Sequence, residues 1–265
     1  MTDPIRDDEV RKTRHTGSTM AAYMGYSPWD SPLEAWEVAM GYREFLGNDD
    51  TEAGQFMEES IAKLTAHKLG IPWEKMEQMP TVKHPDYPEV FAVTPDYVVP
   101  GDKIGIQIKN HAPWAYQRYK GKPQTVGRWD NALVPVEKLI QCHLELEVVS
   151  KILGPEGWDM WFLASFFGGS NLRIYWIRRD TRTIRALMEY GEVWWLRHLC
   201  PEGPQDPPAP DCDCGACGQG RKWWVGPYKK PDIPLKLTRE EKAYAPIPFA
   251  DVDESPIIKT PFGEE

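Results

Sequence analysis

A chain of 265 residues with 41% hydrophobic and 27% charged side chains has enough apolar material for one large domain, or for one domain with an appendage. Its net charge of -9 argues against a protein that coats nucleic acid through a broad basic face, yet suits a site whose carboxylates hold divalent cations. No apolar run reaches membrane-spanning length, and the first nine residues lack the basic-then-apolar build of a secretory signal, so the reading at this level is a cytoplasmic protein with no membrane partner.

In chain order, Arg6, Arg11, Lys12, Arg14 and His15 form a basic cluster beside acidic neighbours, readable either as a phosphate-steering patch or as a solvated stretch. Ser31-Pro32-Leu33-Glu34 predicts a helix start, with a capping hydroxyl, a proline at the first helical position and a glutamate three residues after the cap. Phe56, Met57, Ile61, Leu64 and Leu69 recur at helical spacing and predict a helix over about 52–69 that Gly70 stops. Residues 90–93 and 104–109 read as strands, and Pro100-Gly101-Asp102 between them predicts an antiparallel hairpin that brings Asp96 near Lys109.

After a polar loop rich in Trp, Tyr and Lys, a long helix is predicted over 136–153 with Gly154 closing it. Strands over 158–167 and 172–177, joined by Gly168-Gly169-Ser170-Asn171, and a last helix over 183–199 complete the compact part. Composition changes at Pro201, after which roughly half of the 25 prolines fall. The expected division is therefore a domain over 1–200 and a Pro-rich, Cys-containing extension over 201–265 that lacks regular structure over most of its length. In that extension Trp223, Trp224 and Tyr228 interleave with Arg221, Lys222, Lys229 and Lys230, which either stack on bases and touch phosphates or pin the extension to the core.

The chemistry begins with Thr94-Pro95-Asp96 and, after a gap of ten residues, Gln107-Ile108-Lys109. A carboxylate at a strand end can offer oxygen to a hard cation such as Mg²⁺, and period-two alternation puts Gln107 and Lys109 on one strand face. A lysine there can orient an attacking water and stabilise charge growing on a phosphate. Glu58 lies on the helix before these strands and Gln141 on the helix after them. Glu145, four residues from Gln141, shares its helix face and reads as an outer-shell group, whereas His143 lies off that face and reads as surface or core.

With Glu58, Asp96, Gln107-x-Lys109 and Gln141 in helix-strand-strand-helix order, and with Thr16-Gly17-Ser18 leading to Met24-Gly25-Tyr26-Ser27-Pro28, the chain resembles the YqaJ-type viral recombinase family. That family includes the lambda-type exonucleases and belongs to the PD-(D/E)XK nuclease superfamily, and the resemblance runs over roughly residues 11–200. It implies an α/β restriction-endonuclease-like core, a central mixed sheet flanked by helices, here followed by the Pro-rich extension. It further implies that Glu58, Asp96 and Gln107 face two Mg²⁺ ions, with Mn²⁺ as a substitute, that Lys109 is the catalytic lysine and that Gln141 supports the site. Asp86 matches an acidic position of the pattern and is equally readable as an exposed loop residue. Arg11, Ser18 and Thr94 match the positions that hold a 5′-phosphate, with a plain helix cap as the other reading of Ser18.

The implied activity is 5′-to-3′ hydrolysis of linear duplex DNA from its ends in phage-type recombination, inside a bacterial host. The implied partners are double-stranded DNA ends, a single-strand annealing protein of the RecT or Red-beta kind, and further copies of the chain in a trimer. Gln107 departs from the family, which carries an acid there: an amide keeps a carbonyl oxygen for a cation but removes a full negative charge. Three readings follow: a site that works with the amide, a site to which Asp86 or Glu89 brings the charge, or a catalytically impaired nuclease-fold protein that binds DNA ends or a host nuclease.

Cysteines supply a separate constellation. Cys200, Cys212, Cys214 and Cys217 could offer four thiolates to structural Zn²⁺ or an iron–sulfur cluster, although C-x-C-x-x-C is tighter than the usual paired knuckles. Cys142, next to Gln141, reads as a small buried apolar residue.

Overall fold

The computed structural model describes residues 10, 12–44, 49–112, 115 and 134–208. After helical residues at Val10 and Lys12 come two short helices. Helix α1 (Gly17–Tyr23) is capped by Thr16, whose Oγ1 accepts from the Thr19 amide at 3.2 Å while the Thr19 hydroxyl returns to the Thr16 amide at 2.8 Å. Helix α2 (Pro32–Ala39) has the expected reciprocal cap, with Glu34 N donating to Ser31 Oγ and Ser31 N donating to Glu34 Oε2.

Helix α3 (Asp49–Leu69) begins slightly before the predicted start and ends at the expected Gly70, whose φ of 68° suits a residue without a side chain. A small antiparallel ladder follows, β1 (Val82–Lys83) on β2 (Ala92–Val93), before the main sheet of β3 (Tyr97–Val99), β4 (Ile104–His111), β5 (Met160–Phe167) and β6 (Asn171–Arg178). Helices α4 (Val136–Leu153) and α5 (Thr181–His198) complete the set.

The main sheet runs β3-β4-β5-β6 and is mixed: β4 and β5 are parallel, the outer pairs antiparallel. The parallel pair needs a crossover, and α4 is that crossover. One expectation is corrected. Strand 90–93 was expected to pair with 104–109, but Ala92–Val93 pairs with Val82–Lys83, and the hairpin partner of β4 is Tyr97–Val99, which follows Asp96. Pro95 cannot donate to a ladder, so the strand breaks there and Asp96 sits in the gap between two pairings.

Strand β4 sorts its residues by parity. Ile104, Ile106 and Ile108 pack with Ile61, Ala62, Ala66 and Leu69 of α3 and with Phe162 and Trp176. On the other face Gly105 lies under the Trp161 indole, which packs with Leu139, Cys142 and Leu146 of α4 and with Leu163, Tyr175 and Ile177. Gly105 is required by contact rather than by a turn, since an added Cβ would lie 2.0 Å from the Trp161 ring. Gln107 and Lys109 therefore point to the α4 side.

Beyond α4 lies another layer, in which Ile140, Leu144 and Val148 meet Met20, Tyr23 and Met24 of α1 and Leu187, Tyr190 and Trp194 of α5. Helix α4 is thus covered on both sides, and every residue from Leu139 to Ser150 is buried. Full burial of each aliphatic side chain contributes about 1.5–3 kcal/mol, and the same burial carries Gln141, His143, Glu145 and Glu147 inside with them. Among the described residues no helix is long and apolar enough to cross a membrane.

Candidate active site

Asp96 is the meeting point. Its Oδ2 accepts the backbone N–H of Ile108 at 2.6 Å and the side-chain NH₂ of Gln107. A carboxylate only accepts, so the Gln107 amide must turn its nitrogen to Asp96 and its Oε1 away. That Oε1 is buried and has no hydrogen-bond partner, on a side chain 1% exposed. Leaving such a group unmet costs on the order of 1–3 kcal/mol.

Lys109 is half-buried two residues along the same face, and its charge bears on both Glu145 and Cys142 of α4. Glu145 is 1% exposed. Its Oε1 accepts from Gln141 Nε2 at 2.8 Å, and its Oε2 has no hydrogen-bond partner. Burial pushes its pKa up to about 8; the Asp96 charge adds to the rise, while Lys109, Gln141 and the Trp161 indole oppose it. The Trp161 indole N–H comes near enough to lower the carboxyl's pKa but falls short of hydrogen-bond geometry, so Nε1 and Glu145 Oε2 both lack a partner.

Glu58 stands on α3, in the opposite layer. It is half-buried, and its neighbour Met57 touches β4 through Asn110 Nδ2 to Met57 Sδ at 3.9 Å. The Tyr97 hydroxyl, which accepts from Gln78 Nε2 at 3.1 Å, has its pKa raised to about 12 by burial and then by the negative charges of Glu58, Glu59 and Asp96. Asp96 and Gln107 thus meet where β3 begins beside the middle of β4, with Lys109 on the same face, Gln141 bonded to Glu145 on α4, and Glu58 linked to them only through the charge it exerts on Tyr97.

A cation has partial provision here. Among the described residues no three His, Cys, Asp or Glu side chains are clustered to hold a metal ion. A Mg²⁺ site does not need three, because this ion keeps several waters and takes one or two carboxylates. Asp96 and the Gln107 amide are donors of that kind, although here the amide turns its NH₂ to Asp96 and would have to present Oε1 to an ion.

The start of α1 borders the same place. A Cβ on Gly17 would lie 2.7 Å from Gln141 Cγ and 3.1 Å from Glu145 Oε1, so only glycine allows this approach. Ser18 is exposed on the first turn with its Oγ 3.3 Å from Thr16 Oγ1. Its reading as a plain helix cap is corrected, because Thr16 occupies that role. Thr94 Oγ1 pairs with Thr81 Oγ1 at 2.8 Å, and Arg11 lies outside the described residues.

The two carboxylates considered as replacements for the missing charge lie elsewhere. Asp86 is exposed and paired with Lys151 Nζ at 3.0 Å, which holds its carboxyl below the usual range, on a cleft also lined by His84, Glu147 and Arg179. Glu89 pairs with Arg14 at 2.5 Å. His143 is fully buried, bonds Leu139 O through Nδ1 at 2.9 Å, and is core. Cys142 is buried as expected. Cys200 is buried with its thiol donating to Glu202 at 3.3 Å, while Cys212, Cys214, Cys217 and the Trp-rich basic segment lie outside the described residues.

The residue undervalued from sequence is Glu145. Its signal was present: Leu139, Ile140, Cys142, Leu144, Leu146, Val148 and Val149 leave α4 no solvated face, so an acid among them is either paired or functional.

No family model and no curated protein matches the sequence. Solved structures do. The chain is similar to LHK-Exo in complex with dAMP at 15% identity and TM-score 0.51, over 70% of this chain and 88% of that one. Another structure of this alkaline exonuclease, from Laribacter hongkongensis, gives 16% identity and 0.47 over 71% and 92%. A phage related exonuclease from Haemophilus somnus 129PT gives 12% and 0.44 over 71% and 96%. The α/β core, a mixed sheet flanked by helices, is thus the fold of LHK-Exo, as the sequence resemblance implied.

Proposed function

We propose that this chain is a metal-dependent deoxyribonuclease that hydrolyses phosphodiester bonds from the ends of linear duplex DNA, 5′ to 3′. The observation that carries the reading is the Asp96 carboxylate held by Ile108 N–H and Gln107, with Lys109 on the same face and an unpartnered Gln107 oxygen beside it. The shared fold with an exonuclease crystallised with dAMP supports it.

Asp96, Glu58 and the Gln107 carbonyl oxygen would hold Mg²⁺, or Mn²⁺ in its place. When bound, such ions lower the pKa of an attacking water and neutralise charge on the leaving oxygen. Ile108 N–H fixes Asp96 before substrate arrives, so no ordering cost falls on the reaction step. Lys109 lies where an ammonium can orient a water and stabilise a phosphate oxygen as its charge grows. Gln141 holds Glu145 Oε1 and keeps that carboxyl in one rotamer. Ser18, Thr94 and Arg11 are proposed to bind the 5′-phosphate of the strand being shortened.

The wider setting is proposed with it: a bacterial cytoplasm, a phage or prophage origin, a trimer around DNA, and hand-over of the 3′ overhang to an annealing protein of the RecT or Red-beta kind. Structural Zn²⁺ or an iron–sulfur cluster at Cys200, Cys212, Cys214 and Cys217 is a separate proposal, checked by metal analysis. A second reading, binding to DNA ends without cutting, is favoured by one observation, the neutral amide at 107.

The test is nucleotide release from linear 5′-phosphorylated duplex in Mg²⁺ or Mn²⁺. Closed circles should survive, Lys109→Met should slow the reaction about 10²–10⁴-fold, and Asp96→Asn should abolish it. If neither the native chain nor Gln107→Glu releases nucleotides, the binding reading replaces the enzyme one.

A further inference from the structure

We infer that Glu145 on α4 is a direct ligand of the active-site cation and supplies the negative charge that strand position 107 lacks. This rests on the metal-dependent reading above and goes beyond it, because the family pattern places the acid on the strand and gives no metal to this helix position.

Several independent observations converge. Two side-chain oxygens with no hydrogen-bond partner occur on this face: Gln107 Oε1 on the strand and Glu145 Oε2 on the helix. Both side chains are 1% exposed, so bulk water does not meet them. Gln107 faces α4 by strand parity, and Glu145 lies on the stretch of α4 between Cys142 and Leu146 that packs on Trp161 of the same sheet face, so both oxygens stand between β4 and α4, where the charges of Asp96 and Lys109 also bear on Glu145.

The arrangement around Glu145 suits ligation. Gln141 donates to Oε1, and only a hydrogen at Gly17 leaves room beside that oxygen, while Oε2 is left over. With Asp96 and Gln107 Oε1 it gives one ion two anionic oxygens and one neutral one, leaving Glu58 on α3 to the second ion of the pair, and Mg²⁺ takes one or two carboxylates before filling its octahedron with water and phosphate oxygen. The other acids that could restore the charge are engaged: Asp86 with Lys151 and Glu89 with Arg14. A structural role alone does not account for Glu145, since a leucine-like side chain would fill the same core space without desolvating a carboxyl.

The charge is thus moved from strand to helix rather than lost. Burial explains why the replacement is on α4: the helix is enclosed by the sheet on one side and by α1 and α5 on the other, and its inward face looks at β4.

The test is Mn²⁺ binding by calorimetry, with melting in EDTA as a control for folding. Glu145→Gln keeps size and the contact with Gln141, so it should melt at or above the native temperature in EDTA and bind Mn²⁺ at least about 10-fold more weakly. Glu145→Gln combined with Gln107→Glu puts the charge back on the strand and should recover native affinity to within a few-fold. Native affinity in Glu145→Gln overturns the inference and leaves the metal-dependent reading standing. Should Glu145→Gln melt early, Glu145→Asp, which draws the carboxyl back by one methylene, decides instead, and native Mn²⁺ affinity there overturns the inference too. A native protein whose Mn²⁺ binding is absent, or unaffected by Asp96→Asn, takes down both.

Discussion

Gln107→Glu is the perturbation that interrogates the Asp96 clasp most directly. In the native chain the amide NH₂ donates to Asp96 Oδ2; after substitution two carboxyl groups face each other across that contact. Two unit charges about 3 Å apart at an effective dielectric constant of 20 repel by about 5 kcal/mol. Taking up a proton is cheaper. Holding a carboxyl of ordinary pKa near 4.3 protonated at pH 7 costs about 3.7 kcal/mol, and the new O–H donates where the N–H did. Proton uptake wins, and the cost follows pH: about 1 kcal/mol at pH 5 and about 4 at pH 7. The sign is that of a carboxyl whose folded pKa is raised, so stability is full below the unfolded value and lost as pH rises above it. Urea denaturation in EDTA at pH 5 and pH 7 measures the difference between variant and native protein. Excess Mn²⁺ should remove the penalty at pH 7. A variant with the native urea midpoint at both pH values in EDTA would refute the clasp.

Two further outcomes concern packing and acid stability. Gly105→Ala brings a Cβ to 2.0 Å from the fully buried Trp161 ring, so the indole must leave its place and the fold should lose about 3 kcal/mol or more, read as a lowered melting temperature; a loss below 1 kcal/mol would contradict the close approach. His15 is buried, bonds Gly191 O through Nε2 at 2.7 Å and is held at a pKa of about 4 chiefly by desolvation, so it stays neutral in the fold while the unfolded chain protonates below 6.5. Stability should therefore fall as pH drops from 6.5 to 4, with His15 contributing about 3 kcal/mol, and His15→Gln should flatten that part of the urea-midpoint profile.

Much of the fold was legible because its signals are local. Ser31 through Glu34 announces α2 by chemistry confined to one turn, and Gly70 ends α3 by a backbone angle that glycine adopts without strain. The hairpin was misread because pairing is not local. Residues 90–93 have the right composition to lie on β4, but Pro95 interrupts the run and a two-residue strand at Val82–Lys83, too short to register as a pattern, takes them instead. Helix α1 went unassigned as an element, since seven residues opening on glycine and serine carry little periodicity.

The site divides in the same way. Sequence alone determined the chemical inventory: Asp96, Gln107 and Lys109 at strand spacing, Glu58 and Gln141 on flanking helices, and the missing charge at 107, because residue type and parity along a strand are properties of the chain. Only the tertiary structure decided which way the Gln107 amide turns, that Asp86 and Glu89 are engaged elsewhere, and that Glu145, held by Gln141 through Oε1, keeps Oε2 without a hydrogen-bond partner within reach of the Asp96 and Lys109 charges. The physical reason is burial. Whether a carboxylate on α4 is a solvated surface group or a desolvated one depends on what covers the helix, and α1, α5 and the sheet come from distant parts of the chain.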